Sequence, residues 1–284
     1  MTDQNLEEFL QYAGGWRIDE EDFANLDSSA FDGEDKVLAM CDNFEANTFD
    51  AREILKVENQ KSQGACQGHA ISSAVEMGSC IAIGEKSLEL SRAMGYYETQ
   101  RLDGIKGDRG STISGGVKLA MKTGICKETL WPYPSKYNNR RPSDMNAVRK
   151  SAKRFKAFNS VRIRSWEGLV TFLEAGLGAV SIGINWNSSV NREHVTSFKS
   201  GGGGHAVLLP QMSKKRPGEV DMMNSWGERW GDAGWATWTE KAFNQMLKSR
   251  FTAAIGISDM ENLEPRKVTF TNFENLEKAK KVIF

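Results

Sequence analysis

Apolar residues fall into two different rhythms along this chain. From 65 to about 76, Ala70, Ile71, Ala74 and Val75 recur at three- and four-residue spacing, which predicts a helix. Further helices are predicted over 88–100, over 116–123 where Gly124 stops it, over 143–153 and over 167–175. The second half changes character. Residues 179–184 (AVSIGI) and 206–209 (AVLL) are short apolar runs that read as strands, and 220–223 and 234–238 predict two more. Gly201 to Gly204 separate two of these segments and predict a loop or turn. Pro132 and Pro134 flank Tyr133 in an irregular stretch. Near the start, Leu6, Phe9 and Leu10 suggest a short helix ended by Ala13-Gly14-Gly15. Helices first and strands second indicate an α+β chain of two sub-domains, an arrangement that places a site in the cleft between them.

Composition adds little until charge is mapped. Hydrophobic residues make up 39% and charged residues 26% of the 284, ordinary values for a soluble globular protein. No apolar run approaches the roughly 18 residues of a membrane helix. Met1-Thr2-Asp3-Gln4 does not begin a signal peptide, so a cytoplasmic or virion-associated location is expected, with reduced thiols. Cys41, Cys66, Cys80 and Cys126 form no zinc spacing, so no metal is expected. The net charge of zero hides an asymmetry. Residues 1–50 hold 14 Asp and Glu against 2 Lys and Arg, and the rest carries the compensating excess of 12 positive charges. An acidic arm with interleaved apolar residues, Trp16 among them, is expected to dock on the basic body or on a partner protein.

The chemistry concentrates in three places. Cys66 stands where a Gly-containing loop, Gln63-Gly64-Ala65, turns into a helix, and helix N-terminal amides stabilise a thiolate. His205 follows four glycines and opens a strand, well placed to face a cleft. Asn224-Ser225-Trp226-Gly227 lies beyond it, with Trp230, Gly231 and Gly234 after that. An Asn oxygen holds one nitrogen of a histidine so that the other faces the thiol. A tryptophan over that bond, Trp226 or Trp230, excludes water from it.

Cys, His and Asn in this order resemble the papain-like cysteine peptidases. The Cys66–His205 separation is 139 residues and the Cys66–Asn224 separation 158. The segment from Asn224 to Gly234 is similar to that family's asparagine motif almost position by position, and His205-Ala206-Val207 to its histidine motif. The resemblance implies that Gln60, six residues before Cys66, forms an oxyanion hole with the Cys66 amide. It implies a substrate groove at Ser114, Gly115, Gly116 and Gly204, and an opening strand at Phe49-Asp50-Ala51-Arg52. An alternative register matches Gln63-Gly64-Ala65-Cys66 to a disulfide-bearing motif of the plant and lysosomal enzymes. It puts His69 in the nucleophile's place and makes the protein a dead relative. The first register keeps the Gln-to-Cys distance and a thiol at the helix start, and is preferred. Departures from the family pattern are Gln67 after the nucleophile, Gly204 before the histidine, and the missing disulfide cysteines, as in bacterial and phage branches.

The expected organisation is an acidic arm at 1–48, a papain-like domain at 49–258 and an extension at 259–284. The expected function is a cysteine endopeptidase acting on polypeptides without a cofactor, with no nucleic acid or membrane partner. The rivals are a papain-fold structural or binding component of an assembly such as a phage virion, and another acyl transfer on the same triad.

Overall fold

The computed structural model describes residues 15–17, 33–40, 45–84, 86–190, 196–249, 252–259 and 263–268. The helix expected around Leu6–Leu10, Cys41 and most of the extension expected at 259–284 lie outside them.

The described elements run α1 (Glu34–Leu38), α2 (Cys66–Ile83), α3 (Arg92–Leu102), α4 (Ile113–Lys122) and α5 (Met145–Ala152). Then come β1 (Asn159–Ile163), α6 (Trp166–Glu174), β2 (Ala179–Val190), β3 (Thr196–Met212), β4 (Glu219–Met223) and β5 (Trp235–Thr239). The order closes with α7 (Glu240–Leu247) and β6 (Ala253–Ser258). Five of the described helices start where a side chain can accept an orphan N–H. Ser91, Thr112, Asp144, Ser165 and Thr239 each cap the helix that follows. Helix α2 is different: Ala65 at its N-cap offers no side-chain acceptor, so its first amides are left to the thiol and the cleft.

The six strands form one antiparallel sheet in the order β1-β6-β2-β3-β4-β5. Its centre is covered on both faces. Val180, Ile182, Ile184, Val207 and Leu209 belong to one core with Phe172 of α6 and Phe243 of α7. Ala179, Ala206 and Leu208, on the opposite face, join a second core built on α2, with Ile71, Ala74 and Met77. This explains the continuous apolar runs of β2 and β3: a strand buried on both faces loses its alternation. Between the halves, Arg52 pairs with Asp221 at 3.2 Å and Asp232 at 2.6 Å, and stacks on Trp235.

Two expectations need correction. Gly201–Gly204 is not a loop but part of β3, with Gly203 opposite Trp186 and Gly204 opposite Asn185. Glycine is used there for close approach: a Cβ on Gly204 would stand 2.2 Å from the carbonyl oxygen of Trp16. Phe49–Arg52 is no strand either. Asp50 caps a short 3-10 turn over Ala51–Glu53 by accepting from the Arg52 N–H. Helices α1 and α7 and strands β1 and β6 are not among the elements the sequence pattern predicts.

Candidate active site

Three loops and one strand converge at the N-terminal end of α2. The loop before Cys66 is tied from several sides. Gln63 donates to the Pro134 carbonyl at 2.8 Å and accepts from the Tyr97 hydroxyl at 2.7 Å. The Gly64 N–H donates to Asp108 at 2.8 Å. Cys66 itself is fully buried, and its thiol lies against the backbone amides of Ala206, Gln67, Gly15 and its own residue. Those amides favour the thiolate, but burial outweighs them and pushes the thiol pKa up to about 12.

His205 sits in β3, one residue before the amide that touches the thiol. Its Nε2 is 2.9 Å from Asn224 Oδ1. The same oxygen accepts the Ser225 N–H at 2.8 Å, which fixes the oxygen, not the NH2 group, on the histidine side. Nε2 is therefore the protonated nitrogen, and buried Nδ1 carries the lone pair with no hydrogen-bond partner. Burial pulls the His205 pKa down to about 4, against the opposing pull of Asn224. Trp226 covers the imidazole at 4.7 Å between ring centroids, and Trp186 meets it edge-on at 5.1 Å. Trp230 packs behind Trp226 and does not touch the ring directly among the contacts of the described residues. Trp186 is a residue that sequence reasoning missed. It stands in a strand whose apolar pattern gave no cue to a site.

Gln60 is fully buried beside the same corner. Its N–H donates to the Ser225 carbonyl at 2.7 Å, its Oε1 accepts from Ser225 Oγ at 2.6 Å, and Nε2 donates to the Gln63 carbonyl at 2.9 Å. One residue pair, Gln60 and Ser225, thus ties the cysteine loop to the asparagine loop. His69, the alternative nucleophile position, lies one turn along α2, buried with its ring edge-on to Tyr133.

Ser114, Gly115 and Gly116 lie within α4 and are buried. Gly116 backs onto the Gln67 side chain, so these three support the cleft wall from behind. The wall itself is Ser111. Its hydroxyl donates to Gln67 Oε1 at 2.7 Å, and its backbone pairs with residues 15–17. Residues 15–17 cross the cleft there as a strap. The Ser111 N–H donates to the Gly15 carbonyl at 3.1 Å, the Arg17 N–H donates to Ser111 at 3.0 Å, and the Trp16 N–H reaches Gly204 on the opposite wall at 3.5 Å. Trp16 is 4% exposed, with its indole against Gly183. A Cβ on Gly15 would lie 2.9 Å from the Cys66 sulfur and 2.5 Å from Gly64, so only glycine passes over the thiol.

Among the described residues no group of three His, Cys, Asp or Glu is placed to hold a metal. Nor is any helix among them long and apolar enough to cross a membrane. The three described cysteines, Cys66, Cys80 and Cys126, are free thiols.

The sequence and the fold have counterparts in known proteins. The chain is 23% identical over 245 residues to an uncharacterized peptidase C1-like protein of Acanthamoeba polyphaga mimivirus, covering 78% of each chain. Its fold is similar to that of xylellain, a cysteine protease from Xylella fastidiosa, with a TM-score of 0.67 at 21% identity over 88% of this chain and 97% of that one. It is also similar to digestive procathepsin L2 proteinase from Tenebrio molitor larval midgut, with a TM-score of 0.65 at 19% identity over 89% and 80%. Residues 45–254 match the model of the papain family cysteine proteases, and the chain belongs to that family.

Proposed function

We propose that this protein is a cysteine endopeptidase with Cys66 as nucleophile, His205 as base and acid, and Asn224 as the residue that holds His205. The observation that carries this reading is the His205–Asn224 bond, which leaves the lone pair on Nδ1, in a strand whose next amide, that of Ala206, lies against the Cys66 thiol. Nδ1 takes the thiol proton and the sulfur attacks the peptide carbonyl carbon. Gln60 Nε2 and the Cys66 N–H donate to the oxyanion that forms. The imidazolium then gives its proton to the leaving amine, and the C–N bond breaks to leave a thioester. Water enters, gives its proton to Nδ1 and attacks the thioester, and the acid product leaves as the thiol is restored. Trp226 and Trp186 keep competing water off the His205–Asn224 bond.

The strap belongs to this reading. With Gly15 over the sulfur and Trp16 in the cleft, a substrate cannot reach Cys66. The N-terminal arm therefore acts as a built-in inhibitor, and its charge, opposite to that of the body, favours the docked state. Trp16→Ala in the full chain opens the cleft. That variant should digest an unfolded protein substrate, and the same chain with Cys66→Ala should not. Equal digestion by both would refute the assignment.

A further inference from the structure

Helix α2 carries an ionisable side chain that the proposed reaction does not use. His69 is 3% exposed, and neither ring nitrogen has a hydrogen-bond partner. Burial and the positive charge of Arg92 hold its pKa well below the usual histidine range, so the ring is neutral, with one N–H and one bare nitrogen. A buried polar group without a partner is costly, and its persistence points to an occupant of the space beside it.

That space exists. His69 lines a small cavity together with Glu58, Ser73, Asn224 and Ser225. The room in it for the centre of a water-sized sphere is about 10 Å³, the size of one water site. A second orphan belongs to the same wall: Asn224 Nδ2 is buried and finds no partner, while Oδ1 of the same amide is fully engaged by His205 and Ser225. Two unsatisfied groups and one water-sized space make a coherent site.

We infer that His69 and Asn224 share a single buried water molecule in this cavity, and that His69 is thereby a positioning residue for the asparagine. Asn224 Nδ2–H donates to the water oxygen, and the water donates to the bare nitrogen of His69. The Asn224 amide is then held at both ends, and its grip on His205 is stiffened through a group with no contact to substrate. The inference rests on the roles proposed above for His205 and Asn224.

The test uses the full-length chain. A high-resolution crystal structure of the wild type is expected to show a water within about 3.2 Å of a His69 ring nitrogen and of Asn224 Nδ2. His69→Phe keeps the ring and removes both nitrogens; its structure is expected to lack that water. The His205 Nε2–H signal in NMR should exchange with solvent about tenfold faster in the variant, the worth of one hydrogen bond. In the Trp16→Ala background, His69→Phe should lower kcat about tenfold with KM unchanged, and His69→Gln should restore it. Absence of the water from the wild type overturns the inference, as does a folded His69→Phe with unchanged His205 exchange. Should His69→Phe fail to fold, the wild-type density alone decides. The density and exchange readouts need no turnover, so a chain without peptidase activity would refute the proposed function and leave this question separately answered.

Discussion

The side-chain oxygen of Asn224 lies 2.9 Å from Nε2 of His205 while it accepts the Ser225 N–H at 2.8 Å. That double engagement chooses the tautomer. A histidine held by Nε2–H carries its basic lone pair on Nδ1, and the amide of the next residue, Ala206, lies against the Cys66 thiol. Asn224→Ala removes the acceptor from a buried N–H. In a chain opened by Trp16→Ala, kcat should fall about ten- to hundredfold with little change in KM, the cost of one buried unsatisfied donor. Steady-state kinetics on a peptide series checks it. An unchanged kcat would mean that something other than Asn224 sets the ring.

Trp16 contributes most of the buried apolar area in the strap. Its truncation in a buried site costs about 3–5 kcal/mol. If half of that is felt as strap opening, the open fraction rises by more than about tenfold. Trp16→Ala should therefore alkylate at Cys66 much faster than the wild type, and the wild-type rate alone should increase with added salt. Timed iodoacetamide labelling at two ionic strengths measures both.

The strapped state should be firmest near neutrality and weaken on either side. His205 is held at about 4 by burial, below the ordinary 6.5. A group with a depressed pKa in the closed form stabilises that form above its open-state pKa, and the contribution is lost as pH falls from about 6.5 through about 4. Cys66 works at the other end. Its pKa near 12 stabilises the strapped form below the ordinary thiol value and withdraws that support as pH rises above it. Strap release, followed by proteolytic susceptibility near residue 16, should show a minimum around neutrality and rise towards pH 4. A flat profile would place the burial of His205 elsewhere than under the strap.

Arg92 and Glu76 form a buried ion pair at 2.5 Å, and the guanidinium also donates to Ser73 and to the Leu90 carbonyl. Arg92→Met strands the carboxylate and should cost about 3–5 kcal/mol in urea unfolding. Adding Glu76→Leu should recover much of it, because the buried charge is then gone. No recovery would mean that packing around Arg92, not its charge, is what stabilises α2 against α3.

Much of this was legible in the chain before any coordinates. Helix α2 announces itself through Ala70, Ile71, Ala74 and Val75, and the Asn224–Gly234 segment carries a dense arrangement of small and aromatic residues that few structures require. Other features were not legible, for physical reasons. Four glycines read as a turn because local preference says so. Residues 201–204 continue β3, with Gly203 paired to Trp186 and Gly204 passing so close to the Trp16 carbonyl that a Cβ has no room. The groove expected at Ser114-Gly115-Gly116 falls inside a helix capped by Thr112, and Ser111 just before it pairs with the strap, a placement set by tertiary contacts rather than local pattern. Trp16 was visible only as one apolar residue in an acidic arm. Its place over the cleft depends on contacts nearly 100 and 190 residues away in sequence, which no local pattern encodes.

Labelling decides the central claim most directly. A chain carrying Trp16→Ala is treated with an epoxysuccinyl peptide, and the adduct is counted by intact mass and located by peptide mapping, with and without His205→Ala. The predicted result is one adduct, on Cys66, lost with His205→Ala. No adduct on the folded protein, with Cys66 still reactive after denaturation, would contradict an activated nucleophile at this position.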